Sequence, residues 1–331
     1  MAWVLRFVGQ VWQTPWQTRA IYQKALTIFE EVGDERGTVE TLYRLGVVTS
    51  QMGDYPAAQQ FYQDSLTRSE KLDRREIIMF CLAELGYIEW AFGNYQIAAE
   101  RCKESLALSI EIGYPSYKAT TLRYLGRIAA SLGDYQTAKK HLQESIAIYK
   151  KIGLRGMKAE ALGELASVTA MEQNFSEAEQ LAQDSLALCQ KLEHRTGEIA
   201  PYIVLGEVAF GLGNFPKAET HYRRAWQTAV EVWLPSYALH ALVGLTKLLA
   251  IEGKKEQALE LATFISQNPA SWQYSRDRIA SLVAQLEAEL PPHVVKAAQT
   301  RGKEKKLEQN FSPLPSTQPA APTYTLHWSR R

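Results

Sequence analysis

Arg123 and Arg127 stand four residues apart, so on a helix their guanidinium groups share one face and can fork an acidic partner. That is recognition chemistry rather than bond-making chemistry, and the sequence offers little of the second kind. The six histidines, His141, His194, His221, His240, His293 and His327, form no metal-ligand spacing. There is no H-E-x-x-H, no G-x-S-x-G, no P-loop and no dinucleotide fingerprint. Adjacent acids such as Glu30 and Glu31 point to different parts of a helix face and read as solvated charge. The three cysteines, Cys81, Cys102 and Cys189, fit neither a disulfide framework nor a zinc site, which is compatible with a reducing cytosol. The expectation is therefore a non-catalytic chain without a cofactor or metal.

Composition agrees with a soluble, folded protein. The chain has 331 residues, 46% of them hydrophobic, and a net charge of +1. Interspersed charges of that balance give no electrostatic case for nucleic acid or for a membrane surface. No apolar stretch reaches the 18 or more residues of a membrane span.

The elements that position these side chains repeat. Leu45, Leu85, Leu125, Leu165, Leu205 and Leu245 mark a period of 40 residues with no insertion or deletion. Gly46, Gly86, Gly126 and Gly206 follow their leucines, with Ala166 once in their place. Eight residues past the first five leucines come Gly53-Asp54-Tyr55, Gly93-Asn94-Tyr95, Gly133-Asp134-Tyr135, Gln173-Asn174-Phe175 and Gly213-Asn214-Phe215. Ala58, Ala98, Ala138, Ala178, Ala218 and Ala258 form another series, and Ser65, Ser105, Ser145, Ser185 and Ala225 a fourth. Glycine tolerates the left-handed turn that ends a helix. Asp or Asn accepts a bond from an orphan N–H at the next helix start. The following aromatic ring covers the turn, and the small residues sit where two helices approach closely. Leu42, Leu45 and Val48 share one face of a first helix; Ala58, Phe61, Tyr62, Ser65 and Leu66 share one face of a second. The first pair is expected near 35–51 and 55–71, and each later pair 40 residues on.

Leu42-x-x-Leu45-Gly46, then Ala58 and Tyr62, resembles the tetratricopeptide repeat over roughly residues 36–267. The resemblance implies an all-α, right-handed solenoid of antiparallel helix pairs. The family's first-helix Trp is replaced by Leu42, Leu82, Leu122, Leu162, Tyr202 and Leu242. The period is 40 rather than about 34, which lengthens the helices. HEAT and armadillo arrays share this period but lack the Gly-Asp-Tyr turn. The long-period form is similar to the arms of bacterial signalling NTPases and transcription activators, and Leu290 to Ala298 with Arg301-Gly302 looks like the tail that closes some of them.

In this family the first helix of each pair builds the inner wall. The inward slots then lie two and five residues to either side of the leucine. They hold Tyr43, Val47, Phe80, Tyr87 and Trp90 in the first two units, Arg123 and Arg127 in the third, and Glu207, Phe210, His240 and Lys247 in the last two. An extended or helical peptide would place apolar anchors near Tyr87 and Trp90 and an acidic group near Arg123 and Arg127. The same residues also have a packing reading: the aromatics against neighbouring helices, the arginines against nearby glutamates. The Lys/Asn pattern that clamps a C-terminal carboxylate is absent from these slots. Two roles follow from the resemblance: a protein- or peptide-binding scaffold or regulatory arm, or a sensing module that controls a signalling ATPase or transcription regulator.

The ends depart from the period. Residues 1–34 read as an amphipathic capping segment (with a membrane-surface anchor as the alternative for Met1 to Thr18) followed by a half-repeat over 19–32. Residues 35–267 hold the six repeats, 268–301 the closing helices, and 302–331, rich in Pro and charge, a disordered tail. Pro115-Ser116-Tyr117 and Pro235-Ser236-Tyr237 read as helix starts. Replacing Leu125 with alanine should cost about 2–5 kcal/mol as a core cavity; a chemical-denaturation midpoint that does not move would show that this face is not core.

Overall fold

The computed structural model describes residues 14–305, so the expectations for 1–13 and 306–331 lie outside the described residues. Fifteen α-helices and one short 3-10 helix follow one another, and no strand occurs among the described residues. They are α1 (Pro15–Glu31), α2 (Glu35–Gln51), α3 (Tyr55–Lys71), α4 (Arg75–Phe92), α5 (Tyr95–Glu111), α6 (Pro115–Ser131), α7 (Tyr135–Lys151) and α8 (Arg155–Met171). There follow α9 (Phe175–Lys191), the 3-10 turn Arg195–Glu198, α10 (Ile199–Gly211), α11 (Phe215–Glu231), α12 (Pro235–Ile251), α13 (Lys255–Gln267), α14 (Gln273–Glu289) and α15 (Pro292–Glu304). The first pair falls at 35–51 and 55–71, where the periodicity predicts it. Two helices of 17 residues and two three-residue turns make up the 40-residue period. Each helix is about 25 Å long at 1.5 Å per residue.

The series found in the sequence each have a contact. Leu42, Leu45 and Val48 are buried, as are Ala58, Tyr62, Ser65 and Leu66. A Cβ on Gly46 would lie 2.5 Å from the Tyr62 ring, and one on Gly206 2.6 Å from Tyr222, so these positions set how closely paired helices approach. Asp54, Asp134 and Asn214 accept from the backbone N–H three residues on, whereas the side chains of Asn94 and Asn174 donate to Glu89 and Glu177 instead. The serine series does more than stay small. Ser65, Ser105, Ser145 and Ser185 donate to the carbonyls of Val39, Met79, Ala119 and Ala159 at 2.7–2.9 Å, always 26 residues back. Each is a buried side-chain bond stitching the second helix of a pair to the first, contributing about 1 kcal/mol.

Left-handed backbone recurs at half the sequence period. Positive φ occurs every 20 residues from Gly33 to Gly253, with Asp73, Gln173, Glu193 and Trp233 in four of the positions. Both turns of every repeat therefore have the same geometry, although glycine marks only some of them.

The array coils until its end meets its beginning. Trp272, in the link between α13 and α14, donates from Nε1 to the Tyr55 hydroxyl at 2.6 Å, and Tyr55 shares a 2.7 Å bond with Ser236 Oγ. Trp16 meets Trp233 edge-on, with ring centroids 5.8 Å apart. The turn at Gly53 lies against Ala270 and Pro235, and that at Gly93 against Gln273. The segment expected only to seal the last repeat thus also reaches across to the first two.

Gly53 and Gly133 occupy equivalent turns, at φ 77° and 82°, but a Cβ would meet Ala270 Cβ at 2.4 Å in the first and nothing within 4 Å in the second. Alanine at Gly133 should cost about 1–2 kcal/mol for left-handed backbone. Alanine at Gly53 should cost about 1–3 kcal/mol more, from overpacking against the closing segment. Equal shifts in urea midpoint for the two variants would contradict the closed arrangement.

Candidate functional site

The first helix of each pair forms the inner wall, and the closing segment lies across it. None of the wall residues chosen from the sequence is fully exposed, and they fall into three groups. Tyr43 and Phe80 belong to an aromatic stack with Tyr117: Phe80 lies 4.1 Å from Tyr117 and 5.5 Å from Tyr43 between centroids, and the Tyr43 and Tyr117 hydroxyls hydrogen-bond. Tyr87 and Trp90 stack at 5.6 Å, and the Arg127 guanidinium lies 4.8 Å from the Trp90 centroid and 5.5 Å from that of Tyr87. The third group faces the closing segment. Glu207 pairs with Arg278 of α14, and His240 shares a 2.8 Å bond with Ser275 while its ring lies against Trp272 and Tyr274. Phe210 packs on Phe215, and Lys247 is half-buried with its pKa lowered by that burial and by Arg278. Burial, followed by Arg278, Lys247 and Arg127, holds His240 down to about 3, so its ring is neutral.

Arg123 and Arg127 do share a face, and they meet acids from the next repeat. Arg123 contacts Glu164 at 2.8 Å and Glu160 at 3.2 Å; Arg127 contacts the same Glu164 oxygen at 2.5 Å. His194 bonds to Glu160 at 2.9 Å, an interaction that raises its pKa. An incoming acid at the arginines would have to displace these carboxylates. Removing one member of such a buried network costs about 3–5 kcal/mol, so its first effect is on stability.

A chamber of about 300 Å³ lies inside the coil. Tyr87, Arg123 and Arg127 line it, joined by Ser50 and Gln51 from α2, Glu84 from α4, Tyr124 from α6, Glu160 and Glu164 from α8, Tyr237 from α12, and Trp272. A second space of about 90 Å³, bounded by Trp90, His240 and Tyr274, lies beside it. Glu84 is the exception in this wall. Its carboxylate receives only the Tyr124 hydroxyl, at 3.3 and 3.5 Å, and no cation within ion-pairing distance among the described residues. Burial pushes it up to about 7, against the pull of Arg123 and Tyr124. Tyr62, fully buried in the same wall, has a hydroxyl with no hydrogen-bond partner.

Much of this lining escaped the sequence reading, Glu84, Tyr237 and Trp272 among it. Glu84 immediately precedes its leucine, a slot that holds Arg44, Glu84, Tyr124 and Glu164 in the first four repeats; that polar run was its signal. Tyr237 was legible only as part of the recurring Pro-Ser-Tyr. Trp272 had no periodic signal at all.

Among the described residues no group of three or more His, Cys, Asp or Glu is placed to hold a metal. All three cysteines are buried, and burial pushes Cys81 and Cys189 up to about 12, which makes them unreactive thiols. No described helix is long and apolar enough to cross a membrane.

A family model described as tetratricopeptide repeat matches residues 17–71, 78–151 and 158–229. No curated protein sequence matches. Among solved structures, the apo form of RapI is similar with a TM-score of 0.60 at 16% identity, over 92% of this chain and 99% of that one. A Rap protein complexed with Competence and Sporulation Factor gives 0.58 at 12% identity, over 87% and 85%. The signal transduction ATPase with a tetratricopeptide repeat sensor from Pyrococcus horikoshii gives 0.51 at 15% identity, over 86% of this chain and 42% of that one. At these identities the likeness is one of fold.

Glu84 also sets a pH dependence. Its charge acts on Tyr43, Tyr62 and Tyr117, and Arg123 and the Tyr124 hydroxyl act on it. Its pKa is raised on folding, so the folded chain holds the extra proton and stability falls as pH rises from about 4.5 to about 7. Glu84→Gln should therefore leave stability near wild type at pH 4.5 and raise it by about 2–3 kcal/mol at pH 8. Denaturation midpoints at the two pH values measure this, and an equal effect at both would contradict an uncompensated carboxylate.

Proposed function

The chain belongs to the tetratricopeptide repeat family, and from that premise we propose that it is a non-catalytic binding module that receives a segment of a protein or a peptide in its inner chamber. One observation carries this reading: successive repeats converge on a half-open space lined by aromatic and charged side chains, among them Tyr87, Arg123 and Arg127. Aromatic and arginine side chains dominate binding energy when they contact a partner in a desolvated pocket. The described residues supply no catalytic set beside it. A Rap protein of the same fold was solved with Competence and Sporulation Factor bound, which supports a ligand-holding role for such coils. The ligand would engage the Tyr87, Trp90 and Arg127 side of the wall. Tyr43 and Phe80 would support it from the adjacent aromatic stack, and Glu207, Phe210, His240 and Lys247 from the side held by α14.

A second reading, a sensor controlling a signalling ATPase or transcription regulator, is favoured by the way the coil closes. A few contacts around Tyr55, Ser236 and Trp272 join its two ends, and an element of that kind can have two states whose balance a ligand shifts. A ligand-induced change in radius of gyration by small-angle scattering would favour the sensor over a static scaffold.

The chamber itself can be blocked. Ser50 lines it and is half-buried. Peptides selected from a displayed random heptapeptide library on the full chain should lose roughly tenfold or more in affinity for Ser50→Trp, equivalent to about 1.4 kcal/mol. Selected peptides that bind this variant undiminished would place the site elsewhere.

A further inference from the structure

The chamber wall is electrically unbalanced. Glu84, Glu160 and Glu164 face it with Arg123 and Arg127. Both guanidiniums are already engaged by Glu160 and Glu164, and no described cation reaches Glu84. A carboxylate held away from water without a counter-ion is costly, and an opposite charge brought to it recovers that cost. The second observation is independent of charge. Tyr62, fully buried, belongs to the same wall, and its hydroxyl has no hydrogen-bond partner. A buried hydroxyl left unbonded costs about 1–3 kcal/mol, so this wall is incompletely bonded as it stands. The third is shape and surface. The space of about 300 Å³ stands at the lower end of ligand pockets, room for one inserted side chain of the segment that binds there. The rings of Tyr87 and Tyr124 line it beside Glu84, and aromatic faces attract cations within about 6 Å.

We propose that the chamber binds a cationic group of a peptide, a guanidinium or primary ammonium, with Glu84 as its counter-ion and the Tyr87 and Tyr124 rings flanking it. This rests on the peptide-binding reading and gives that site its ligand chemistry. It also changes the polarity expected from the sequence. An acidic anchor would meet arginines whose charge is spent and a glutamate that repels it. A cationic anchor meets Glu84, the acid of this wall that has no ion pair among the described residues.

The test separates the two levels. A displayed random heptapeptide library is selected on the full chain, and the binders are checked for loss of affinity on Ser50→Trp. Binders from wild type should carry an arginine or lysine at a fixed position. Replacing an arginine there by citrulline, which keeps shape and removes charge, or acetylating a lysine, should weaken binding to wild type roughly tenfold or more, as expected for a charge-assisted bond. The same exchange should matter little on Glu84→Gln, whose folding is checked by its melting curve. If binders are blocked by Ser50→Trp but the neutral analogue binds as well as the charged one, or if they carry an obligatory acid, the cation proposal is overturned while chamber binding stands. If no library member binds, or Ser50→Trp has no effect, both readings are overturned. The peptide exchange is read on the wild-type chain, so it holds even where Glu84→Gln folds poorly.

Discussion

The hydrogen bonds that link Trp272 to Tyr55 and Tyr55 to Ser236 turn a row of repeats into an enclosure. In an open solenoid each unit touches only its neighbours, and stability is a sum of local terms. Here residues 217 positions apart meet in a buried contact, with the small turn residues Gly53 and Gly93 giving the closing segment room to seat. A buried indole N–H and a buried phenol each need a partner. The closure supplies both at once, so its parts stand or fall together. Without it the inner wall would be an open, solvated surface and its charges would behave as surface charges.

Enclosure decides how those charges behave. In water an exposed ion pair contributes little. Within the coil, Arg123 and Arg127 pair with two glutamates of the next repeat, Arg127 lies over the faces of Tyr87, Trp90 and Trp272, and Arg123 over that of Tyr124. This network joins the third repeat to the fourth and, through Trp272, to the closing segment. Glu84 sits in the same desolvated space without a counter-ion. The wall therefore has an ion-paired part and one carboxyl without an ion pair among the described residues. The first ties one repeat to the next, and the second is the group that the proposed cation would meet.

The ladder was legible because each rung repeats the same local constraints. Leu45 and its equivalents, the Gly46 series and the Ala58 series report contacts within a pair or between neighbours, and those recur at a fixed spacing. The arginine pair was legible for the same reason, as two residues one helical turn apart, and its glutamate partners lie one repeat on in the equivalent helix. Other features do not show. Three of the twelve left-handed turns among the described residues are hidden because Asp73, Glu193 and Trp233 adopt a backbone that glycine would have announced. The serine-to-carbonyl bonds look in the sequence like a need for smallness alone. The closure was not legible at all. It arises from small rotations accumulated over six repeats, and no single repeat encodes their sum. Trp272 consequently read as part of a cap, and the groove positions Glu207 and His240 read as open although the chain's own Arg278 and Ser275 occupy them.

The central claim, that the coil is closed, is tested most directly by a distance across its two ends. Spin labels at the exposed residues Gln60 on α3 and Gln227 on α11 place a pair of probes on the first and the fifth repeats. A closed coil predicts a single narrow distance distribution by pulsed dipolar spectroscopy, which broadens and lengthens when Trp272 is replaced by alanine. A broad distribution in the unmodified background, or one that Trp272→Ala leaves unchanged, would contradict it.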